Sequence, residues 1–140
     1  MLSLALAVAA ALPTVTVRAP LADLTLEVAR TEPQRERGLM DRKSVAPHTG
    51  MIFVFDGDGP VQFWMKDTLE PLDMIFIGAD GRVRRIYAEV PVIATGAGDD
   101  VIPRESGSAK YVIELAAGEA AKDGIVTGTK LDLSGVPPPQ

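Results

Sequence analysis

Three side chains with acid–base capacity stand where buried β-strands leave no room for solvated charge. Alternate side chains of a strand point to opposite faces. In residues 72–77, LDMIFI, Asp73 therefore shares a face with Ile75 and Ile77. In residues 111–115, YVIEL, Glu114 shares a face with Val112, and in residues 61–66, VQFWMK, Lys66 shares one with Trp64 and Gln62. A lone ionised carboxylate on an apolar face costs several kcal/mol, so each acid must pair, hydrogen-bond or hold a proton.

Arg35 and Arg37, on a short helical segment, add positive charge. Ionisable groups gathered in a polar pocket mark a site, and two chemistries suit this set. In the first, Arg35, Trp64, Lys66, Asp73 and Glu114 line a non-catalytic pocket for a small polar or sugar-like ligand, or for a segment of a partner. Trp64 stacks and the charges orient. In the second, Asp73 and Glu114 work as the acid/base pair of a hydrolase, with Lys66 keeping one of them ionised. Separation discriminates: a working pair faces across a cleft at about 5–10 Å. A third role is structural, in the cell envelope. Each residue also has a plainer use. Asp73 follows Pro71 and can cap a turn, Glu114 can face water at an edge, Lys66 can lie along Trp64, and Trp64 can be core.

Other chemistry is thinly represented. The chain has no cysteine and a single histidine, His48, which excludes thiolate and multi-histidine metal sites and leaves only carboxylate-rich ones open. His48, between Pro47 and Thr49, reads as a solvated loop residue. No phosphate-cradling glycine loop or G-x-S-x-G elbow occurs. The run Asp56-Gly57-Asp58-Gly59 has the flavour of a calcium loop but no glutamate at the twelfth position, and reads as a hairpin turn. No metal or cofactor is expected.

The elements that must position these residues are short. The 140 residues are 46% hydrophobic, enough for one domain with one core. Eleven prolines and 13 glycines punctuate short apolar runs, as in a fold of strands joined by turns. Strands are expected at residues 14–18, 23–30, 50–55, 61–66, 72–77, 82–87, 111–115 and 130–133. The second and third pairs of that series that flank turn residues, 50–55 with 61–66 and 72–77 with 82–87, read as hairpins. Short helices are expected after Thr31, a good N-cap, and at residues 118–122. Residues 91–109 read as a long loop. The expected fold is mainly β, an antiparallel sandwich or partly open barrel of about eight short strands with two short helices.

A formal charge of −5 lacks the electrostatic footprint of a nucleic-acid binder. Residues 1–12, MLSLALAVAAAL, form an apolar run too short to span a bilayer. They resemble the core of a secretory signal with small residues at Ala9, Ala10 and Ala11 for cleavage, although no basic residue precedes them. The expected organisation is a signal remnant over residues 1–13, a single domain over 14–134 and a disordered tail over 135–140. The expected location is the periplasm or beyond the cytoplasm, with an envelope protein or a small polar ligand as partner and no integral membrane span.

Five ordered motifs complete the pattern: T-x-x-x-R-x-x-G-L-M at residues 31–40, GMIFVF at 50–55, FWMKDT at 63–68, PLDMIFI at 71–77 and YVIELAAG at 111–118. In this order and spacing the chain resembles the bacterial and archaeal family called domain of unknown function 192, over residues 24–133. The resemblance implies a compact β-rich fold, often behind an export signal, and brings no established activity. Asp67 departs from the asparagine that the family usually carries at that position.

Overall fold

The computed structural model describes residues 11–94 and 96–140. Most of the stretch read as an export signal, residues 1–10, lies outside them. Among the described residues no helix is long and apolar enough to cross a membrane.

A single sheet organises the chain. Strand β1 (Thr14–Arg18) pairs antiparallel with β2 (Asp23–Ala29), whose alternating Leu24, Leu26 and Val28 are fully buried. Helix α1 (Glu32–Arg37) follows and returns the chain to β3 (Thr49–Trp64), which runs parallel to β2. Strand β4 (Leu72–Ile77) is followed by β5 (Val83–Val90), β6 (Arg104–Ala116) and the short helix α2 (Glu119–Lys122). The order across the sheet is β1-β2-β3-β6-β4-β5. All six residues of β4 are buried, because both faces of the sheet are covered.

The mainly β class, the two helices and the start of the first strand agree with expectation. Six strands form rather than about eight, the sheet is mixed rather than antiparallel throughout, and it does not close into a barrel. Two expected strands, 50–55 and 61–66, are one 16-residue strand. The Asp56-Gly57-Asp58-Gly59 run is not a hairpin turn. Its backbone stays extended and carries a register shift against β6 between Val54 and Gly59. Lys110 fastens this point by donating to the carbonyls of Phe55 and Asp56. Asp58 is held by the Arg84 guanidinium at 2.6 and 2.7 Å. Residues 130–133 make only an isolated bridge, Lys130 to Arg82. The tail, residues 135–140, lies against the end of β2, where Arg30 Nε donates to the Pro138 carbonyl and Gln140 N–H donates to the Arg30 carbonyl.

The irregularity in β3 bends the ribbon it forms with β6 back over one face of the sheet. Phe53 and Phe63 stand ten positions apart on one strand, yet their rings meet edge to face at 4.8 Å. Phe63 also approaches Phe55 and Phe76, and Phe76 meets Tyr87. All four phenylalanines of the chain thus gather in one cluster, a favourable arrangement for ring quadrupoles. Gly107 makes the approach possible, since a Cβ there would lie 2.3 Å from Phe76 Cδ2. Two apolar cores result. One face carries Ile52, Val54, Ile75, Ile113 and Leu115 under α2 and the C-terminal segment. The other carries Met51, Phe53, Met74, Phe76 and Val112 under α1 and the folded-back ribbon.

Candidate functional site

Helix α1 is six residues long, too short to stand by itself. Its start is a capping box. Gln34 N–H donates to Thr31 Oγ1 at 3.3 Å, and Thr31 N–H donates to Gln34 Oε1 at 3.1 Å. Its end is Gly38, at φ 49°, where a Cβ would press on the Phe53 ring at 3.2 Å. No residue of the helix is buried. Arg35 fastens it to the sheet: Nη1 donates to the Arg30 carbonyl at 2.7 Å and to the Val54 carbonyl at 3.0 Å, and the guanidinium lies 5.4 Å from the Phe55 ring.

Between α1, the segment after it, and the bent half of β3 lies a cleft of about 400 Å3. Phe53, Phe55, Phe63 and Trp64 supply aromatic walls, and Arg35, Arg37, Lys66, Glu32 and Glu36 supply a mixed-charge rim. Four of the five residues singled out in the sequence line it: Arg35, Trp64, Lys66 and Glu114. The ring of Trp64 has Lys66 Nζ at 4.9 Å and the Arg104 guanidinium at 5.1 Å, so stacking of a ligand on it competes with these cations. Lys66 also reaches Asp99 at 3.4 Å, and Arg37 reaches Asp41 at 3.6 Å.

Glu114 forms the floor. On β6 it is flanked in register by Met51 of β3 and Met74 of β4, both buried. Its carboxyl points toward the end of α1, as a Cβ on Gly38 would lie 3.7 Å from Oε1. Among the described residues it has no ion pair or hydrogen bond to another side chain or to backbone, and burial alone pushes its pKa up to about 8. It is therefore un-ionised at neutral pH, a hydrogen-bond donor and acceptor rather than a charge.

Asp73 does not join the site, which corrects the expectation that it lines the pocket. It pairs in register with Leu115, one step from Glu114, and so projects from the opposite face. There Oδ1 accepts the N–H groups of Glu89 at 2.9 Å and Gly118 at 3.1 Å, and Oδ2 accepts that of Ala120 at 2.9 Å. Glu89 and Gly118 both have positive φ, 54° and 84°, so Asp73 holds the register shift of β5 opposite it and caps α2 from another strand. The plainer use of Asp73 is the one the fold employs. The Asp73–Glu114 acid/base pair is not assembled.

A second cluster escaped the sequence. His48 is the exposed turn residue expected, yet it brings Nδ1 to 2.7 Å from Asp123 Oδ1 and 3.4 Å from Glu119 Oε2. Burial first, and the Asp123 carboxyl second, raise the Glu119 pKa above the ordinary carboxylate range. Glu119 and Asp123 stand four apart in GEAAKD, on one side of a helical turn. That spacing was the available signal, but nothing local ties it to a histidine 71 positions earlier.

With this geometry in place, comparison with known proteins becomes informative. Residues 14–133 match the model of DUF192, a family described as Uncharacterized ACR. A crystal structure from Sinorhizobium meliloti 1021, provisionally described as that of a transcription regulator, is 39% identical with a TM-score of 0.72, over 88% of this chain and 95% of that one. A protein of unknown function from Novosphingobium aromaticivorans DSM 12444 is 35% identical with a TM-score of 0.68, over 85% of this chain and 83% of that one. No curated protein matches.

Proposed function

The chain belongs to the DUF192 family, and from the chemistry of its cleft we propose that it is a non-catalytic binding module of an exported protein, taking a small polar, sugar-like ligand. One observation carries this reading: the buried Glu114 carboxyl faces a cleft of about 400 Å3 and meets no partner among the described residues. Among the described residues, the fully enclosed side-chain oxygens without a hydrogen-bond partner are those of Glu119 and Asp123, so the Glu114 carboxyl opens onto the cleft. A ligand hydroxyl that both donates to and accepts from the neutral carboxyl can take the place of water there. The surrounding phenyl rings and Trp64 suit the apolar face of a hydroxylated ring. Lys66 and Arg37, held by exposed partners, are free to turn toward further oxygens at little expense.

A hydrolytic reading lacks its second carboxylate, because Asp73 is committed to backbone on the other face. Nucleic acid is not a partner in this reading, since a formal charge of −5 does not favour a polyanion. The regulator description stays with the Sinorhizobium protein.

Trp64 is the only tryptophan of the chain and lines the cleft, so its fluorescence reports on binding directly. Neutral monosaccharides, disaccharides and sugar acids titrated at pH 6.5 should include one or more that change the emission saturably. Glu114→Ala should weaken that response at least tenfold. Were no member of the series to alter the emission of a well-folded protein, the proposal would be lost.

A further inference from the structure

The chain's only histidine and two buried acids converge on the face of the sheet away from the cleft. One ring nitrogen of His48 and one carboxylate oxygen each from Glu119 and Asp123 lie within 4.8 Å of one another. The side chains of Glu119 and Asp123 are 5% and 0% exposed, whereas that of His48 is 54% exposed. Asp123 Oδ2 and Glu119 Oε2 are buried without a hydrogen-bond partner, and Oε2 is aimed into the cluster at 3.4 Å from the imidazole. Such orphaned oxygens are rare in folded proteins and call for an explanation. A divalent cation held by all three side chains would give both carboxyl groups a partner at once.

The geometry points to a divalent transition-metal site of the zinc class, formed by His48, Glu119 and Asp123. A nitrogen donor with two carboxylates and no thiolate suits Zn2+ better than the all-oxygen preference of Ca2+ or Mg2+. Metal–donor bonds of about 2.0–2.2 Å place tetrahedral donors roughly 3.3 Å apart. The His48–Glu119 separation already meets this. The 2.7 Å His48–Asp123 contact must open by about half an ångström, which the exposed imidazole allows. Three protein donors leave a fourth position to water, on the side that His48 opens to solvent. The donors come from separated places, the turn before β3 and the helix after β6, so a bound ion would clamp the C-terminal segment to the sheet. None of the three lines the cleft, and the inference is independent of the ligand proposed there.

The test is calorimetric titration of zinc chloride into the untagged full chain after removal of metals with a chelator, with magnesium and calcium chloride as controls. One equivalent of Zn2+ is expected to bind, to raise the melting temperature, and to outcompete either control. Cobalt chloride should give the visible d–d bands of a low-coordinate nitrogen–oxygen site. His48 has φ 59°, so His48→Asn removes the imidazole while keeping a residue that tolerates this backbone. His48→Asn and, separately, Glu119→Gln should each weaken zinc binding at least tenfold with an unchanged circular dichroism spectrum. Absence of zinc uptake by the parent chain, or equal uptake by a folded His48→Asn variant, would overturn the site.

Discussion

Asp73 and Glu114 occupy adjacent register positions on neighbouring strands and point to opposite faces of the sheet. The first is fastened by three backbone N–H groups, and the second faces a cleft without a partner. Two acids that look alike in sequence therefore have different work, and their substitution should separate them.

Removal of the Asp73 carboxylate orphans the N–H groups of Glu89, Gly118 and Ala120 at once. Asp73→Ala is expected to lower unfolding free energy by about 3–5 kcal/mol in urea titration. Glu114→Gln, which is near-isosteric with the neutral carboxyl, should change stability by less than about 1 kcal/mol at pH 6. Equal losses for the two variants would contradict the division of roles.

The raised pKa of Glu114 makes stability depend on pH. Its folded value is about 8, against an ordinary value of 4.5. In that interval the folded chain holds a proton that the unfolded chain has released, so stability falls as pH rises. The contribution is fully present below about pH 4.5 and is lost as pH passes through about 8. Glu119 acts in the same direction, so the informative quantity is a difference between variants. Glu114→Gln should flatten the decline between pH 5 and 9 relative to the parent, read from urea midpoints. A curve parallel to the parent's would contradict the un-ionised floor.

Helix α1 is held by Arg35 rather than by buried apolar residues. Arg35→Lys keeps the charge but loses the rigid guanidinium whose Nη1 bridges two carbonyls and which lies over Phe55. Amide hydrogen exchange across residues 32–38 is expected to accelerate several-fold in Arg35→Lys and further in Arg35→Ala. Strands β4 and β6 should keep parental protection.

Gly107 lets the bent ribbon close on Phe76. Gly107→Ala forces Phe76 or the ribbon to move and should cost about 1–3 kcal/mol, despite the usual preference for alanine over glycine within a strand. Thermal unfolding measures it, and an unchanged or raised melting temperature would refute the close packing.

Asp67 lies at φ 51°, in the left-handed region, and its carbonyl accepts the Asp41 N–H at 2.8 Å. The resemblance to the family marks this as a place for asparagine, which adopts that backbone readily. Asp67→Asn is expected to raise the melting temperature by about 1 °C, equivalent to a few tenths of a kcal/mol.

Local pattern sufficed for some of this. The alternation of residues 23–29 and the unbroken apolar run of 72–77 mark β2 and β4 because the period of a strand is two. Thr31, Pro33 and Gly38 bound α1 because capping chemistry is carried by a few adjacent residues. Lys66 and Glu114 stood out because charge on apolar strands violates the pattern, and Arg35 on the short helix and Trp64 beside them joined as added charge and an aromatic ring. The fate of residues 56–59 was not legible. A glycine–aspartate run permits a hairpin, and only the pairing of both halves of β3 with β6 keeps it extended.

Strands β1, β2 and β4, the placement of acids among apolar neighbours and the family were thus set by the order of residues alone. Tertiary structure decided which acid meets backbone, which meets a cleft and which meets His48. The physical reason is that alternation tells which residues share a face of one strand, whereas the satisfaction of a buried carboxyl depends on groups from distant segments. Asp73 finds its donors 16, 45 and 47 positions away. Contacts at that distance arise from strand order and bending, which no local period records.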